Sequence, residues 1–133
     1  MNPHYPLVAR RANHRCEYCH APEVAFNFPF EVEHPVPKSQ GGSDEHSNHA
    51  LSCRSCNLYK SDTSRALDPV SREFVQLFNP RFDRWNEHFS VDPGAVEIAG
   101  LTAKARATIE SLRMNSPLQR AARQQWVLLE LFP

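Results

Sequence analysis

Two identically spaced cysteine pairs constrain this chain more than any other feature of its sequence. They use all four cysteines, as Cys16-Glu17-Tyr18-Cys19 and Cys53-Arg54-Ser55-Cys56. A two-residue gap lets two thiolates converge on one tetrahedral ion, and two such pairs complete a closed four-cysteine zinc site. The spacing therefore predicts a structural Zn²⁺ held by Cys16, Cys19, Cys53 and Cys56. Such a metal stabilises the fold and has no open position for chemistry.

Two disulfides or a redox dithiol are the alternatives for these cysteines. The N-terminal residues MNPHYPLVARRANHR lack the apolar stretch of a secretory signal, and no apolar run approaches the roughly 20 residues of a transmembrane helix. We therefore expect a cytoplasmic protein with no membrane contact, and disulfides are rare in that compartment. A thioredoxin-like dithiol would occur once, on a βαβ pattern that this sequence lacks.

The charge balance limits how the chain can contact nucleic acid. Its 133 residues include 15 basic and 15 acidic residues, for a formal net charge of zero, and the length fits one domain or a small module with an appendage. A DNA-binding protein without sequence preference usually carries clustered Lys and Arg. A phosphate-binding surface would have to come from local groups, such as Arg10, Arg11 and Arg15, or Arg54 and Lys60. Alternatively, these arginines lie on the solvated face of a short helix.

The segment between the cysteine pairs predicts a strand, a loop, a second strand and a helix. Apolar and polar residues alternate up to Glu33 and His34, which would point to opposite faces at the strand's end, before Pro35 and Pro37 stop it. A Gln-Gly-Gly-Ser-Asp loop follows. Residues 50–52 predict the returning strand, and residues 55–64 predict a helix with Asn57 in its first turn. The alternating residues of the first strand are Phe26, Phe28, Phe30, Val32 and His34.

This order of elements resembles the ββα-metal core of the HNH endonuclease family. The resemblance implies an α+β fold with a ββα-metal (His-Me finger) core stapled by the four-cysteine zinc site. With the patterns that follow, we expect an HNH nuclease core over residues 1–65 and a C-terminal extension over residues 66–133. The motifs that carry the resemblance are Cys16-x-x-Cys19, Glu33-His34-Pro35, Lys38-Ser39-Gln40-Gly41-Gly42, Asn48, and Cys53-x-x-Cys56-Asn57 with Lys60.

The resemblance assigns roles to four of these residues. Glu33 offers a carboxylate oxygen and Asn57 an amide oxygen, ligand types suited to a catalytic Mg²⁺ or Mn²⁺, and the family's metal ligands occupy these positions. A side chain such as that of His34 titrates near neutral pH, and the family's corresponding histidine is the general base that activates water. Asn48 matches the residue whose side chain holds the loop and orients the base.

Each assignment has a simpler alternative. His34 could be an ordinary satisfied histidine at a strand end, and Asn57 could cap the free amides of the helix. His49 departs from the family pattern, where an apolar residue, usually Leu, is common. The sequence leaves open whether His49 packs, reaches the metal or has no role.

The second half predicts a small antiparallel sheet and two helices. We expect a turn at residues 68–71, a strand at residues 73–78, and a hairpin of residues 84–91 and 95–99 around Asp92-Pro93-Gly94. One helix would follow a Thr102 cap, and the second would follow Ser116-Pro117. Their apolar stripes are Leu101, Ala105, Ile109 and Leu112, then Leu118, Ala122, Trp126 and Leu129.

This half also resembles the C-terminal extension of a bacterial HNH subgroup, but it adds no nameable catalytic residue. Arg81, Arg84 and Trp85 are candidates for a substrate-facing surface, with Arg–Trp packing against the sheet as the alternative.

The sequence thus predicts a metal-dependent endonuclease that hydrolyses phosphodiester bonds, with DNA as the expected partner. The alternatives are a non-catalytic zinc module that binds nucleic acid or protein, and a dithiol redox protein. No dimer signature is legible, so the sequence predicts no oligomeric state.

Overall fold

The computed structural model describes residues 1–92, 94 and 96–133 and has the α+β architecture predicted from the sequence. Its described residues form α-helices and three two-stranded antiparallel sheets. Short 3₁₀ turns cover Glu23–Ala25, Lys38–Gln40 and His46–Asn48. In chain order the elements are α1 (Tyr5–Arg11), β1 (Glu31–Glu33), β2 (Ala50–Ser52), α2 (Arg54–Lys60), β3 (Arg65–Leu67), β4 (Phe74–Gln76), α3 (Trp85–His88), β5 (Phe89–Ser90), β6 (Ala99–Gly100), α4 (Ala103–Ser111) and α5 (Pro117–Leu128).

The strands β1 and β2 and the helix α2 form the predicted ββα unit. β1 pairs antiparallel with β2, with Glu33 opposite Ala50 and Glu31 opposite Ser52. Helix α2 packs against β1, and α1 packs against both strands. Glu31 and Glu33 share a face of β1 because strand side chains alternate. That face meets α2.

The first strand is much shorter than the alternating pattern predicts. Residues 23–25 form a 3₁₀ turn, β1 begins only at Glu31, and His34 lies one residue beyond its end. Pro29 cannot donate a ladder hydrogen bond, which disfavours pairing of the preceding residues. Phe26 and Phe28 are accordingly exposed, whereas Phe30 is buried. The prediction of a strand from Phe26 was wrong, although Glu33 and His34 do point to different surroundings.

Helix α2 begins and ends earlier than predicted. Its N-cap is Cys53, whose Sγ accepts a hydrogen bond from the Cys56 amide at 3.4 Å. The helix stops at Lys60 because Ser61 adopts a left-handed φ of 50°. Asn57 is therefore inside the helix, and the alternative that it caps the free amides was wrong.

The second half begins with the hairpin β3–β4, and the predicted turn after Asp68 is confirmed. The predicted strand over residues 84–91 was wrong in its first half, where α3 forms instead. Only β5 remains, paired with β6 through Phe89 opposite Gly100. The predicted turn at Asp92-Pro93-Gly94 and the start of its second strand include Pro93 and Ala95, which lie outside the described residues.

The predicted Thr102 cap and the predicted helix start after Ser116-Pro117 are confirmed. Thr102 Oγ1 accepts from the Ala105 amide at 3.1 Å, and Ser116 Oγ accepts from the Gln119 amide at 3.3 Å. The predicted apolar stripes were only partly right, since Leu101, Leu118 and Leu129 are exposed. The buried face of α5 carries Gln119, Arg123 and Trp126. Arg123 is fully buried because its guanidinium donates to the Met114 carbonyl at 2.6 Å and to Asn115 Oδ1 at 3.2 Å.

Both halves contribute to one hydrophobic core. Val8, Tyr18 and Leu51 belong to the same buried cluster as Phe78 and Leu112. The domain boundary after residue 65 stays a prediction, and Arg65 is the first residue of β3. Within the described part of the chain, no helix has the length and apolar character needed to span a membrane.

Candidate active site and metal centres

The four cysteines converge as their spacing predicts. One Sγ from each of Cys16, Cys19, Cys53 and Cys56 lies within 4.8 Å of the others, and all four side chains are buried. None forms a disulfide. The Cys19 and Cys53 sulfurs are 3.7 Å apart, close to the edge of about 3.8 Å expected for a tetrahedron with Zn–S bonds of about 2.3 Å. The cluster therefore fits a structural zinc ion.

A cleft of about 490 Å³ opens between β1, the loop that follows it and α2. Three residues predicted to be catalytic, Glu33, His34 and Asn57, line this cleft. Lys38 and Arg54 also line it and bring positive charge to its rim. The fold thus brings together side chains that are up to 24 positions apart in the sequence.

His34 is held by an acidic residue that the sequence did not single out. Its Nε2 lies 2.8 Å from Asp44 Oδ1. Hydrogen bonds from His34 and then His49 hold the pKa of Asp44 well below its usual range, so this carboxylate is ionised and accepts. In neutral His34 the proton then lies on Nε2, and the lone pair lies on Nδ1. No described residue hydrogen-bonds to His34 Nδ1, so this nitrogen can accept a proton.

Glu33 lies deeper in the cleft, in a buried ion pair. Lys60 Nζ donates to Glu33 Oε2 at 2.7 Å, and the Tyr18 hydroxyl donates to Oε1. Burial, and then the charge of Glu33, raise the pKa of Tyr18 well above its usual value, so Tyr18 remains a donor. A carboxylate has about four lone-pair positions. These two hydrogen bonds therefore leave Glu33 capacity to bind a cation.

Lys60 also fixes the backbone that carries the base. Its ammonium donates to the carbonyl oxygens of Pro35 at 3.1 Å and His34 at 3.3 Å. Lys60 is only 1% exposed, so the prediction that Lys60 contributes to a phosphate-binding surface was wrong. Its ammonium instead pairs with Glu33 and donates to these carbonyls.

Asn57 lies one helical turn before Lys60 and contacts a second carboxylate. Its side-chain amide donates to Glu31 Oε2, and Arg54 lies 3.3 Å from Glu31 Oε1. The Asn57 side-chain oxygen is left as an acceptor. Glu31 is a potential cation ligand that sequence reasoning missed, and its position two residues before Glu33 on β1 was the available signal.

Asn48 holds the loop after the base, as the resemblance implies. Its Oδ1 accepts from the Val36 amide at 3.0 Å, and its Nδ2 donates to the carbonyls of Val36 and Ser43, each at 2.9 Å. The same loop requires glycine at position 42, because a Cβ there would lie 1.8 Å from the Val36 carbonyl oxygen. Asn48 itself does not line the cleft; it stabilises the loop whose Asp44 contacts His34.

His49 is fully buried beside the base. Its Nε2 lies 3.0 Å from Asp44 Oδ1, and its ring centroid is 5.2 Å from that of His34. Its Nδ1 is buried, and no residue in the described part of the chain hydrogen-bonds to it. Burial lowers the pKa of His49, partly offset by Asp44. Of the possibilities open in the sequence, the structure shows that His49 packs against and hydrogen-bonds the loop that carries Asp44.

Several basic residues considered for substrate binding are engaged within the protein. Arg11 donates to the carbonyls of His46 and His49, and Arg81 pairs with Glu17. Trp85 stacks on His20 with ring centroids 3.9 Å apart and donates from Nε1 to the Tyr18 carbonyl at 2.8 Å. For Arg81 and Trp85, the packing alternative agrees with the structure. Arg10 and Arg84 remain exposed.

The fold and these residues define a ββα-metal domain with a four-cysteine cluster, and the comparison with protein families agrees. Residues 16–63 match the family model described as HNH endonuclease. This segment, about a third of the chain, is therefore similar to the HNH endonuclease family. The match begins at the first cluster cysteine and includes the whole ββα unit. Neither the curated proteins nor the solved structures that were searched gave a match.

Proposed function

We propose that this protein is a metal-dependent endonuclease that hydrolyses phosphodiester bonds of DNA. The observation that carries the proposal is the arrangement of His34. Its Nε2 is held by Asp44, no described residue hydrogen-bonds to its Nδ1, and His34 lines a cleft together with Glu33 and Asn57. The family match supports nuclease chemistry in general.

His34 is the proposed general base. Its Nδ1 takes the proton from a water molecule as the water oxygen attacks phosphorus, and Asp44 stabilises the resulting imidazolium. The bond between phosphorus and the 3′ oxygen then breaks, and the departing 3′ oxygen takes a proton from solvent water. Lys60 and Asn48 hold the segment around His34, so the base is oriented before substrate binds. Asn48 and Lys60 are positioning residues in this scheme.

Asn57 and Glu33 are the proposed ligands of the catalytic cation. Both offer oxygen atoms to the cleft that contains His34, a donor set that suits Mg²⁺ or Mn²⁺. When bound there, such an ion neutralises the charge that develops on the phosphate. Glu31 contacts Asn57 but does not line this cleft, and it is therefore the alternative carboxylate.

The cysteine cluster is proposed to hold Zn²⁺ for stability alone. Its four thiols leave no position for water or substrate. Metal analysis of the purified protein should give about one zinc per chain, and a redox dithiol protein would contain none. A cytoplasmic location stays a prediction from the sequence.

Cleavage of supercoiled plasmid DNA in a series of Mg²⁺ and Mn²⁺ concentrations tests the proposed activity. We expect the wild type and His14→Ala to nick the plasmid, because His14 lies outside the cleft, and His34→Ala to lose activity by at least about a hundredfold. If wild type and His34→Ala cleave equally little while DNA is still shifted in a gel, the protein is a non-catalytic binding module.

The cation ligand is tested by comparing Glu33→Gln with Glu31→Gln. We expect Glu33→Gln to abolish cleavage and Glu31→Gln to leave the cation concentration for half-maximal cleavage within about threefold of wild type. The reverse result would place the cation on Glu31. Circular dichroism checks that each variant is folded, since Glu33→Gln also weakens the contact with Lys60.

A further inference from the structure

A second cluster of possible metal ligands includes His49, which contacts the same Asp44 oxygen as the proposed base. One ring nitrogen from each of His4, His46 and His49 lies within 4.8 Å of the others. The ring centroids are 5.1 Å apart for His4 and His46, 4.7 Å for His4 and His49, and 5.5 Å for His46 and His49. None of these residues is among the proposed ligands of either metal described above.

The three histidines come from distant parts of the sequence but are held by the fold. His4 is the N-cap residue of α1, whereas His46 begins the 3₁₀ turn before β2 and His49 follows it. Arg11 joins the two segments by donating to the carbonyl oxygen of His46 at 2.9 Å and to that of His49 at 2.6 Å. The backbone that presents the rings is therefore fixed without a metal.

His49 provides an independent indication that this cluster binds a ligand. Its ring is fully buried, and its Nδ1 has no hydrogen-bond partner among the described residues. A buried polar atom without a partner costs about 1–3 kcal/mol. The donation from Nε2 to Asp44 leaves a lone pair on Nδ1 in the neutral ring, the form of imidazole that binds metals. An apolar side chain would fill this position without that cost.

Nearby charges act in both directions at this cluster. Asp44 Oδ2 lies 3.8 Å from His4 Nε2 and supplies negative charge beside the rings. Lys38 lies 3.7 Å from the same Asp44 oxygen, and Arg11 contacts the backbone below the rings. Three neutral imidazoles beside one carboxylate select zinc, nickel, copper or cobalt ions over Mg²⁺, which prefers oxygen ligands.

We propose that His4, His46 and His49 form a transition-metal site, separate from both the cysteine cluster and the nuclease cation. The three imidazoles are the protein ligands, and a water molecule or Asp44 occupies the fourth position of a tetrahedral ion. The ion joins the start of α1 to the segment before β2. Metal binding here therefore stabilises the contact between these two segments.

Calorimetric titration with Ni²⁺ tests this site, using full-length protein loaded with one zinc per chain so that only the cysteine cluster is filled. We expect one Ni²⁺ per chain, with affinity reduced by at least about tenfold in His4→Ala and in His46→Ala. Both side chains are partly or fully exposed, so these variants should fold. His14→Ala is the matched control and should bind Ni²⁺ as the wild type does. Ni²⁺ should also raise the melting temperature of the wild type but not that of His46→Ala.

The result does not depend on nuclease activity, because the readouts are binding and stability. Asn57→Ala should keep the Ni²⁺ site, since Asn57 belongs to the proposed nuclease cation site. The inference is overturned if no Ni²⁺ binds to the zinc-loaded protein, if His4→Ala and His46→Ala bind it unchanged, or if Asn57→Ala abolishes binding. A protein that binds Ni²⁺ through these histidines but cleaves no DNA would contradict only the proposed function.

Discussion

At the scale of single residues, the ion pair between Lys60 and Glu33 places two charges in the interior beside the cleft. Both side chains are almost fully buried, and the ammonium has three acceptors within 3.3 Å. Desolvating two charges is costly, and the pair offsets that cost only while both partners and their hydrogen bonds are present. The pair orders the segment from β1 to the base more than it adds net stability.

Removal of one partner of this ion pair should therefore strongly destabilise the folded protein. We expect Lys60→Met to lower the free energy of unfolding by about 3–5 kcal/mol, because Glu33 is left buried without a counter-charge. Denaturant unfolding of the zinc-loaded protein measures this. Arg54→Met is the matched control, since Arg54 forms an exposed ion pair with Glu31 and should cost at most about 1 kcal/mol. Equal losses in the two variants would contradict this account of Lys60.

Asp44 is the residue that decides the tautomer of His34. In Asp44→Asn, the amide can present an N–H group to His34 Nε2, which favours the tautomer with its proton on Nδ1. We expect kcat for DNA cleavage to fall about a hundredfold with little change in KM, because the base is lost and substrate contacts are not. Ser43→Ala, in the same loop, should keep kcat. An unchanged kcat in Asp44→Asn would exclude this positioning role.

At the scale of elements, His20 directly follows the first cysteine pair and connects it to α3. The His20 ring is stacked on Trp85. Burial is the main cause that lowers its pKa from 6.5 to about 4, with Arg15 acting in the same direction and Cys16 against it. Between these pH values the unfolded chain binds a proton that the folded protein does not, so stability falls as the pH falls.

A pH series of unfolding experiments tests this contribution. We expect the free energy of unfolding to decrease from pH 6.5 to pH 4, and to decrease less in His20→Gln. The difference between the two proteins isolates His20, because acid release of zinc contributes to both. If the two curves remain parallel over this range, His20 is not the acid-sensitive group.

The elements were predicted well where local patterns decide them and poorly where long-range contacts do. Thr102 was identified as a helix cap, and Ser116-Pro117 as the start of the next helix, because capping depends on nearby amides. The strand at Phe26 and the strand before Phe89 were wrong, since alternation alone does not supply a pairing partner. The buried face of α5 was predicted incorrectly. It contains Arg123, which an apolar residue pattern does not reveal because its charge is satisfied by backbone carbonyls.

The candidate site shows the same division. The metal cluster was predictable because the spacing of its cysteines is typical of a tetrahedral four-cysteine site. Its members are Cys16, Cys19, Cys53 and Cys56. The sequence identified Asp44 only as a loop residue. No sequence pattern predicts that a carboxylate in a loop, ten residues after His34, will contact that histidine. Its role depends on how the loop folds back, held by Asn48 and by the close approach at Gly42.

At the scale of the whole molecule, the first 65 residues and the rest of the chain share one interior. Phe78 lies against Tyr18 with ring centroids 6.4 Å apart, and Trp85 donates to the Tyr18 carbonyl. Arg81 pairs with Glu17 inside the first cysteine pair. The extension therefore covers the cysteine cluster from a side that β1 and β2, with three residues each, do not reach.

Removal of the extension should consequently unfold the core. We expect a fragment of residues 1–65 to lack a dispersed amide spectrum even with zinc present, because the apolar surface around Tyr18 is exposed. Nuclear magnetic resonance of the fragment and of the full chain makes the comparison. A folded fragment that cleaves DNA would show that the predicted boundary separates two independent units.

The Tyr18 hydroxyl has a practical consequence for assays of this protein. Tyr18 lies between Cys16 and Cys19, and its hydroxyl donates to Glu33 in the cleft. A chelator that strips the cysteine cluster would therefore also disturb Glu33, and cleavage would stop whether or not a second ion takes part. Dialysis against buffer without Mg²⁺ removes the weakly held ion and spares the tightly held one. Activity that returns on adding Mg²⁺ after dialysis, but not after chelation, would distinguish the two metals.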